Sequence, residues 1–283
     1  MRVLLSSAFA LVLRTIRNHS GKPIGRAIQR LSYAIYRASN NPGYHFADNG
    51  ELHILQAFSA VSGHRTVFDV GAHIGEWSRA CADLLGSRVN VYAFEPSNST
   101  FEKLRLNTKG RDNISPIQIG LSATDGDLDI MVSDSVPQKS SVEAISAQAT
   151  SPQIVDYRKE RQRFVRGDGF CRERGLEHIH FLKIDTEGHD LQVLAGFECM
   201  IADDKVDVIQ FEYNRLNIFT KYTLSDFYNM LNEKFTQNGY LIGRIYPSGV
   251  LFKPYSVYDE NFIDGNFLAV RAALPDLVAT FRI

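Results

Sequence analysis

The chain has 283 residues, with 31 Lys plus Arg against 32 Asp plus Glu, and 44% of its residues are hydrophobic. This apolar fraction excludes a disordered protein, and the length allows one large α/β domain as readily as two smaller ones. The formal net charge of −1 gives no overall bias towards nucleic acid, so we expect no nucleic-acid partner.

The three cysteines are Cys81, Cys171 and Cys199. They lie too far apart for a CxxC redox or zinc pair, and three cysteines are too few for a disulfide framework. We therefore expect a reducing, cytoplasmic compartment.

The first 43 residues differ from the rest of the chain in charge. No acidic residue precedes Asp48, whereas seven basic residues do: Arg2, Arg14, Arg17, Lys22, Arg26, Arg30 and Arg37. The apolar residues of this segment fit two helices with a break at 20–23, a composition suited to lying on an anionic membrane surface. We expect a peripheral contact of residues 1–40 with the inner face of the membrane, and a helix pair packed on its own domain is the equal alternative.

The turn formers Asn-Asn-Pro-Gly at 40–43 mark the end of this segment. We predict a basic, amphipathic N-terminal segment over 1–43 and one domain over 44–283. The apolar run after Arg2 imitates a secretion signal, but its hydrophobic region of about seven residues is at the lower limit for one. A spanning helix is not expected, because it needs about 20 apolar residues and Arg14 and Arg17 interrupt the run.

From Asp48 onward, strand-like and helix-like segments alternate. The predicted strands are 66–70, 89–94, 114–121, 128–132, 179–184, 206–211, 240–246 and 267–271. The predicted helices are 75–85, 98–108, a helix from about Leu191, and 224–235. Alternation of this kind requires crossover helices and parallel strand pairing. The polar stretch 133–177 is expected to be an insertion or lid, and its charged run 158–166 a solvated helix face.

Two strand ends carry the residues of a nucleoside site. The first strand ends in Asp69-Val70-Gly71, and Gly75 opens the next helix, so the backbone can turn sharply and approach a ligand. The spacing is not G-x-G-x-x-G, and a carboxylate at Asp69 suits a cationic amino-acid moiety better than a phosphate. Glu95 ends the second strand, where a carboxylate can accept hydrogen bonds from both hydroxyls of a ribose. Together these features predict S-adenosylmethionine binding.

Three sequence blocks extend this pattern: Val-Phe-Asp-Val-Gly-Ala-His-Ile-Gly at 67–75, Phe-Glu-Pro at 94–96, and Phe-Leu-Lys-Ile-Asp-Thr-Glu-Gly-His-Asp from 181. They resemble the FkbM family of S-adenosylmethionine-dependent methyltransferases over residues 48–271. The resemblance implies the class I methyltransferase fold, a Rossmann-like, doubly wound α/β sheet that is mostly parallel with an antiparallel last strand, here following an N-terminal helical extension. It also implies O-methylation of hydroxyls on saccharides, glycans or related metabolites.

The same resemblance assigns cofactor contacts. His73 stands where the family often has Asn, so the role of that side chain is open. The residues that fall on the cofactor motifs are Asp69, Gly71, Ala72, Gly75, Glu95 and Pro96.

Methyl transfer to an alcohol needs alignment of the acceptor and removal of its proton. Candidate bases should therefore follow the predicted strands 179–184 and 206–211, which are the fourth and fifth strands of the methyltransferase fold. The candidates are Asp185, Glu187, His189 and Glu212. His189 suits this role through its ordinary pKa near 6.5, and a surface histidine on a first helical turn is the alternative. Asp185 ends an apolar strand, which is costly for a carboxylate without partners, or else it caps the next helix. Glu187 can equally be a first-turn charge.

A magnesium site is a further hypothesis, in which Asp185, Glu212 and Asn214 supply oxygen ligands; otherwise the two carboxylates orient the substrate. Two rival functions share parts of this pattern. A nicotinamide-dependent oxidoreductase should show the three-glycine motif, which is absent. A catalytically silent nucleotide-binding module would keep the cofactor loop without the acids at the strand ends. No motif identifies the small-molecule or glycan acceptor, or the oligomeric state.

Overall fold

The computed structural model describes residues 2–43, 45–61, 63–133, 156–235 and 239–283, with residues 2–8 described by their backbone alone. The chain forms two compact units, Met1–Pro42 and Gly43–Ile283.

The N-terminal unit consists of two helices, α1 (Arg2–Asn18) and α2 (Pro23–Ser39). The two helical stretches predicted from the sequence are confirmed. Pro23 is the first residue of α2, where its fixed φ and missing N–H suit the start of a helix. Within the described residues, no helix combines the length and apolar character needed to cross a membrane.

Eleven strands form two sheets in the described part of the second unit. They are β1 (Arg65–Val70), β2 (Val89–Phe94), β3 (Ile114–Ile117), β4 (Gly120–Leu121), β5 (Gly126–Val132), β6 (Arg158–Val165), β7 (Phe181–Ile184), β8 (Val208–Tyr213), β9 (Tyr240–Tyr246), β10 (Gly249–Phe252) and β11 (Gly265–Arg271). The large sheet has the order β10-β9-β11-β8-β7-β1-β2-β3, and the small sheet has the order β4-β6-β5.

Strands β3, β2, β1, β7 and β8 of the large sheet pair in parallel, and β11 lies antiparallel between β8 and β9. This confirms the expected doubly wound, mostly parallel sheet with an antiparallel last strand. Both faces of the sheet are buried, as in other parallel sheets. Val67 enters the core on one face and its neighbour Phe68 enters the core on the other.

Helices cover both faces. They are α3 (Glu51–Ser59), α4 (Glu76–Leu85), α5 (Asn98–Asn107), α6 (Gly167–Arg174), α7 (Asp190–Ala195), α8 (Glu198–Ala202), α9 (Asn217–Thr220), α10 (Leu224–Asn229) and α11 (Pro275–Phe281). Helices α3, α4, α5 and α11 contribute to the core on one face, and α6, α7, α8 and α10 contribute to the core on the other.

Two predictions about the middle of the chain are wrong. The charged run 158–166 is a strand rather than a helix face, because β6 pairs antiparallel with β5 and turns Phe164 inward while Arg161 and Arg163 stay exposed. The predicted strand 114–121 is two strands in different sheets. Residues 134–155 of the predicted insertion lie outside the described residues, and its remaining part supplies β6 and α6.

Candidate active site

The turn after β1 is held against the end of β2. The backbone N–H groups of Gly71 and Ala72 both donate to the carbonyl of Phe94, at 3.0 and 2.9 Å. Gly71 has a φ of 80°, and a Cβ at this position would lie 1.9 Å from the carbonyl oxygen of Asp185. Glycine is therefore required here by both conformation and space. The turn also brings the loops after β1, β2 and β7 together at one edge of the sheet.

Glu95 follows β2 and is almost fully buried. Its Oε1 accepts the N–H of Ser97 at 2.9 Å, and its Oε2 accepts the N–H of His73 at 3.1 Å. Burial raises the pKa of Glu95 to about 7. Each carboxylate oxygen keeps a further lone pair, and the residue lines the cavity described below. The carboxylate is thus fixed in orientation with acceptor capacity left over.

Lys183 is a buried ammonium in the middle of β7. Its Nζ lies 3.1 Å from Oδ2 of Asp185 and 3.5 Å from Oδ1 of Asp69, while Ser78 donates to the other oxygen of Asp69 at 2.6 Å. Burial lowers the pKa of Lys183, but the charges of Asp185, Asp69 and Glu51 outweigh burial and raise the pKa above its ordinary value. The lysine therefore holds its proton more tightly than an exposed lysine does.

Glu51, at the start of α3, extends this cluster from outside the sheet. Its Oε1 accepts from the side-chain amides of Asn49 at 2.7 Å and Asn266 at 3.0 Å, and its Oε2 accepts from Gln210 at 2.6 Å. Burial raises the pKa of Glu51. Sequence reasoning missed this residue, because an acid in the first turn of an apolar helix is common on electrostatic grounds alone.

These groups surround a cavity of about 380 Å³ at the carboxyl ends of the strands. Nearly all the predicted site residues line it: Asp69, Gly71, Ala72, Glu95, Pro96, Asp185, Glu187, His189 and Glu212. Gly75 instead packs against α5, where a Cβ would lie 2.7 Å from Leu104. The structure therefore brings the predicted cofactor residues and the predicted catalytic residues to one cavity, as expected for an open α/β sheet.

His189 lies in the wall of this cavity, so the alternative of a surface histidine is wrong. Its Nε2 is 3.0 Å from Oγ of Ser122, and its ring packs against Phe164 in a T-shaped arrangement. Burial lowers the pKa of His189 to about 4. The imidazole is therefore neutral at physiological pH, and it is a weaker base than an exposed histidine.

Glu212 and Asp185 face each other across adjacent strands. Residues 184 and 211 are paired in the parallel register of β7 and β8, so the acids that follow them are neighbours. Burial, together with the charges of Asp185, Glu187 and Asp190, raises the pKa of Glu212 well above its ordinary value. Glu212 thus holds a proton more tightly than an ordinary carboxylic acid does.

Asp190, another residue that sequence reasoning missed, connects these two strand ends. Its Oδ1 accepts the N–H of Glu212 at 3.2 Å, and its Oδ2 accepts the hydroxyl of Thr186 at 2.8 Å. Its sequence signal is an acid at the first position of α7, which is equally typical of a helix terminus. Here the carboxylate holds the loop after β7 against β8.

Asn214 does not fit the predicted magnesium site. Its Oδ1 accepts the N–H of Leu216 at 2.7 Å, and its side chain hydrogen-bonds to Glu212. The amide oxygen is therefore already used in a hydrogen bond within its own loop. Of the three predicted ligands, Asp185 and Glu212 remain to coordinate a magnesium ion. The magnesium site stays a prediction.

A separate group with ligand-like spacing comprises His178, His180 and Asp207. Asp207 is paired with His178 Nε2 at 2.9 Å and with Arg271 at 3.1 Å. His180 accepts the backbone N–H of Thr66 at its Nδ1, so the neutral ring carries its proton on Nε2. With one nitrogen accepting and the other protonated, His180 has no lone pair for a metal.

Comparison with known proteins shows the family to which the chain belongs. The family model described as the methyltransferase FkbM domain matches residues 69–242, which is more than half of the chain. The chain belongs to the FkbM methyltransferase family. The match includes Asp69, Glu95, Lys183 and Glu212 of the cavity, whereas Glu51 lies outside it.

Individual relatives are more distant. The hexuronic acid methyltransferase AglP of Haloferax volcanii is 28% identical over 131 residues, which are 46% of this chain and 48% of AglP. The crystal structure of an FkbM methyltransferase from Methylobacillus flagellatus shares 15% identity and a TM-score of 0.43, over 73% of this chain and 43% of that one. An O-methyltransferase from Bacillus cereus, in complex with SAH, shares 12% identity and a TM-score of 0.41, over 91% and 97%. The chain spans less than half the length of the first two.

The buried lysine of this FkbM domain gives a stability prediction. Lys183→Met leaves Asp69, Asp185 and Glu51 without their cation, and breaking a buried pair in this way costs about 3–5 kcal/mol. The carboxyl groups can escape this cost by taking up protons, so the deficit should shrink between pH 8 and pH 5. The measurement is chemical denaturation of both proteins across this range.

Lys205→Met is the matched control, because Lys205 pairs with Asp203 at 3.0 Å on the surface. Its loss should stay below about 1 kcal/mol. An equal loss in the two variants, or a Lys183→Met deficit that does not change with pH, would contradict this account of the cluster.

Proposed function

We propose that the protein is an S-adenosylmethionine-dependent O-methyltransferase whose acceptor is a hydroxyl of a saccharide. The proposal rests on one observation: two sets of acidic residues line the same cavity. Asp69 and Glu95 lie at the ends of β1 and β2, and Asp185 and Glu212 lie at the ends of β7 and β8. Membership of the FkbM family supports methyl transfer.

The first set fits the cofactor. Glu95, held by two backbone amides, offers its remaining lone pairs to a ribose diol. Asp69 and Trp77 both lie in the cavity wall. Trp77 Nε1 is a buried donor with no hydrogen-bond partner within the described residues, whereas Asp69 Oδ1 lies 3.5 Å from the Lys183 ammonium. The indole N–H can donate to the carboxylate of an amino-acid ligand, and the Asp69 carboxylate attracts its amino group. One lysine among several carboxyl groups leaves the site rich in negative charge, which suits a cationic ligand.

The second set fits the chemistry of the acceptor. S-adenosylmethionine, when bound, supplies an electrophilic methyl group. The chain must hold the acceptor hydroxyl in line with that group and receive its proton. Glu212 suits proton transfer, because its raised pKa lets it hold a proton more tightly than an ordinary carboxyl group does, and Asp185 lies beside it. Neutral His189 can orient the acceptor by hydrogen bonding.

A saccharide is the acceptor class we favour. The supporting relative is AglP, which is named as a hexuronic acid methyltransferase and is 28% identical to this chain over 131 residues. The nicotinamide alternative lacks the three-glycine motif in the loop after β1. A silent binding module would not need Asp185 and Glu212 in the same wall.

The acceptor class can be tested in cells. We expect glycans or lipid-linked saccharides from cells that contain the protein to carry a mass increment of about 14 Da per methyl group, and the increment to be lost when the gene is deleted. An Asp185→Asn copy should fail to restore it, since the acceptor hydroxyl loses a neighbouring carboxylate. Mass spectra of saccharides that do not change on deletion would contradict the saccharide proposal.

Asp185→Asn should also separate catalysis from cofactor binding. We expect kcat to fall about 100-fold or more, with the Kd for S-adenosylhomocysteine changed by less than about threefold. Asp203→Asn, which removes a surface acid paired with Lys205, is the control and should leave both unchanged. A parallel loss of binding and turnover would make Asp185 a folding or cofactor residue.

The pH profile of the same variant gives a sharper test. Turnover should fall as pH drops through the pKa of Glu212, which lies well above 4.5. Burial is the largest cause of this raised pKa, and the charge of Asp185 is the second largest. Removing that charge should lower the pKa of Glu212, so the acid limb of the residual activity in Asp185→Asn should move to lower pH. An acid limb at the same pH in both enzymes would exclude Glu212 as the proton acceptor.

A further inference from the structure

Helix α2 separates apolar from basic side chains. At about 100° per residue, its branched apolar residues fall within about 60° of one another; they are Ile24, Ile28, Leu31 and Ile35. Its arginines fall within about 40° on the opposite side; they are Arg26, Arg30 and Arg37. We call the first set the apolar stripe of α2. This division is typical of a helix that lies at a boundary between an apolar and a polar medium.

Three of the four residues of the apolar stripe are exposed, and Ile28 is half-buried. Ile24 is 59% exposed, Leu31 is 63% exposed and Ile35 is 62% exposed. Single exposed apolar residues are ordinary, but a continuous stripe of them marks an interaction surface. Helix α1 adds exposed apolar side chains of its own: Phe9, Leu11, Val12 and Leu13.

The charge of the segment selects the partner. Seven basic residues and no acidic residue precede Asp48. A second copy of this segment would bring like charges together. An anionic surface is attracted by every one of these charges, and an apolar interior beneath that surface accommodates the stripe. A bilayer containing anionic lipid offers both.

We propose that residues 1–42 dock the protein on an anionic lipid bilayer, with α2 lying in the plane of the interface. The apolar stripe enters the boundary between headgroups and acyl chains, and the arginines extend along the helix to the headgroup phosphates. The attachment is peripheral and reversible, and it combines apolar insertion with charge attraction. It does not depend on the activity proposed above.

The experiment is flotation of the full chain with vesicles of phosphatidylcholine containing 30% phosphatidylglycerol, compared with pure phosphatidylcholine. We expect flotation with the anionic vesicles at low salt and its loss at high salt. Arg26→Gln with Arg30→Gln should weaken partitioning about 25-fold, or about fivefold for each charge removed. Arg172→Gln, an exposed arginine of α6, is the control for charge and should change nothing.

Leu31→Ser tests the stripe, and Leu106→Ser is its matched control, because the two leucines are 63% and 61% exposed. Leu31→Ser should weaken partitioning about tenfold, since one inserted leucine is lost. Leu106→Ser should leave partitioning as in the parent chain.

Three results would overturn the proposal. The first is failure of the full chain to float with anionic vesicles at low salt. The second is equal binding to pure phosphatidylcholine vesicles. The third is a Leu31→Ser variant that floats like its parent but melts at lower temperature, or that converts a dimer to a monomer in light scattering; the stripe would then cover its own domain or a second copy.

Discussion

A single buried ammonium organises the site. Lys183 is paired across adjacent parallel strands with Asp69, and it also contacts Asp185 beyond the end of its own strand. An unpaired charge at this depth would be very costly, so the lysine and its carboxylates must keep their positions together. The lysine therefore fixes the loop after β7 relative to the strand that carries Asp69.

The strand order explains why these groups can meet. Strands β2, β1, β7 and β8 are neighbours and all run in the same direction, so their carboxyl ends share one edge. Backbone hydrogen bonds then set the details at each end. The turn at Gly71 is held by β2, Glu95 is held by the amides of Ser97 and His73, and Asp190 ties the end of β7 to β8. Hydrogen bonds therefore hold the cavity wall in place both at the ends of β1 and β2 and at the ends of β7 and β8.

Much of this arrangement could be predicted from the sequence, because it follows from local pattern. Alternating strands and helices predict the parallel sheet, and acids at strand ends predict the shared edge. What could not be predicted depends on contacts between residues far apart in the chain. Glu51 meets Gln210 only after folding, and β6 is recognisable as a strand only once it is paired with β5. Lys183 did carry a signal, since a charge inside an apolar strand requires partners.

The central claim is that Glu95 and its neighbours bind an adenosyl ligand, and calorimetric titration with S-adenosylhomocysteine tests it most directly. The account predicts binding of this ligand and none of NAD. It also predicts weaker binding at pH 6 than at pH 8, because protonation of Glu95, whose pKa is about 7, removes acceptor capacity from the ribose site. Glu95→Gln should bind more weakly and lose this dependence on pH. Binding of NAD without S-adenosylhomocysteine, or an affinity unaffected by both pH and Glu95→Gln, would contradict the account.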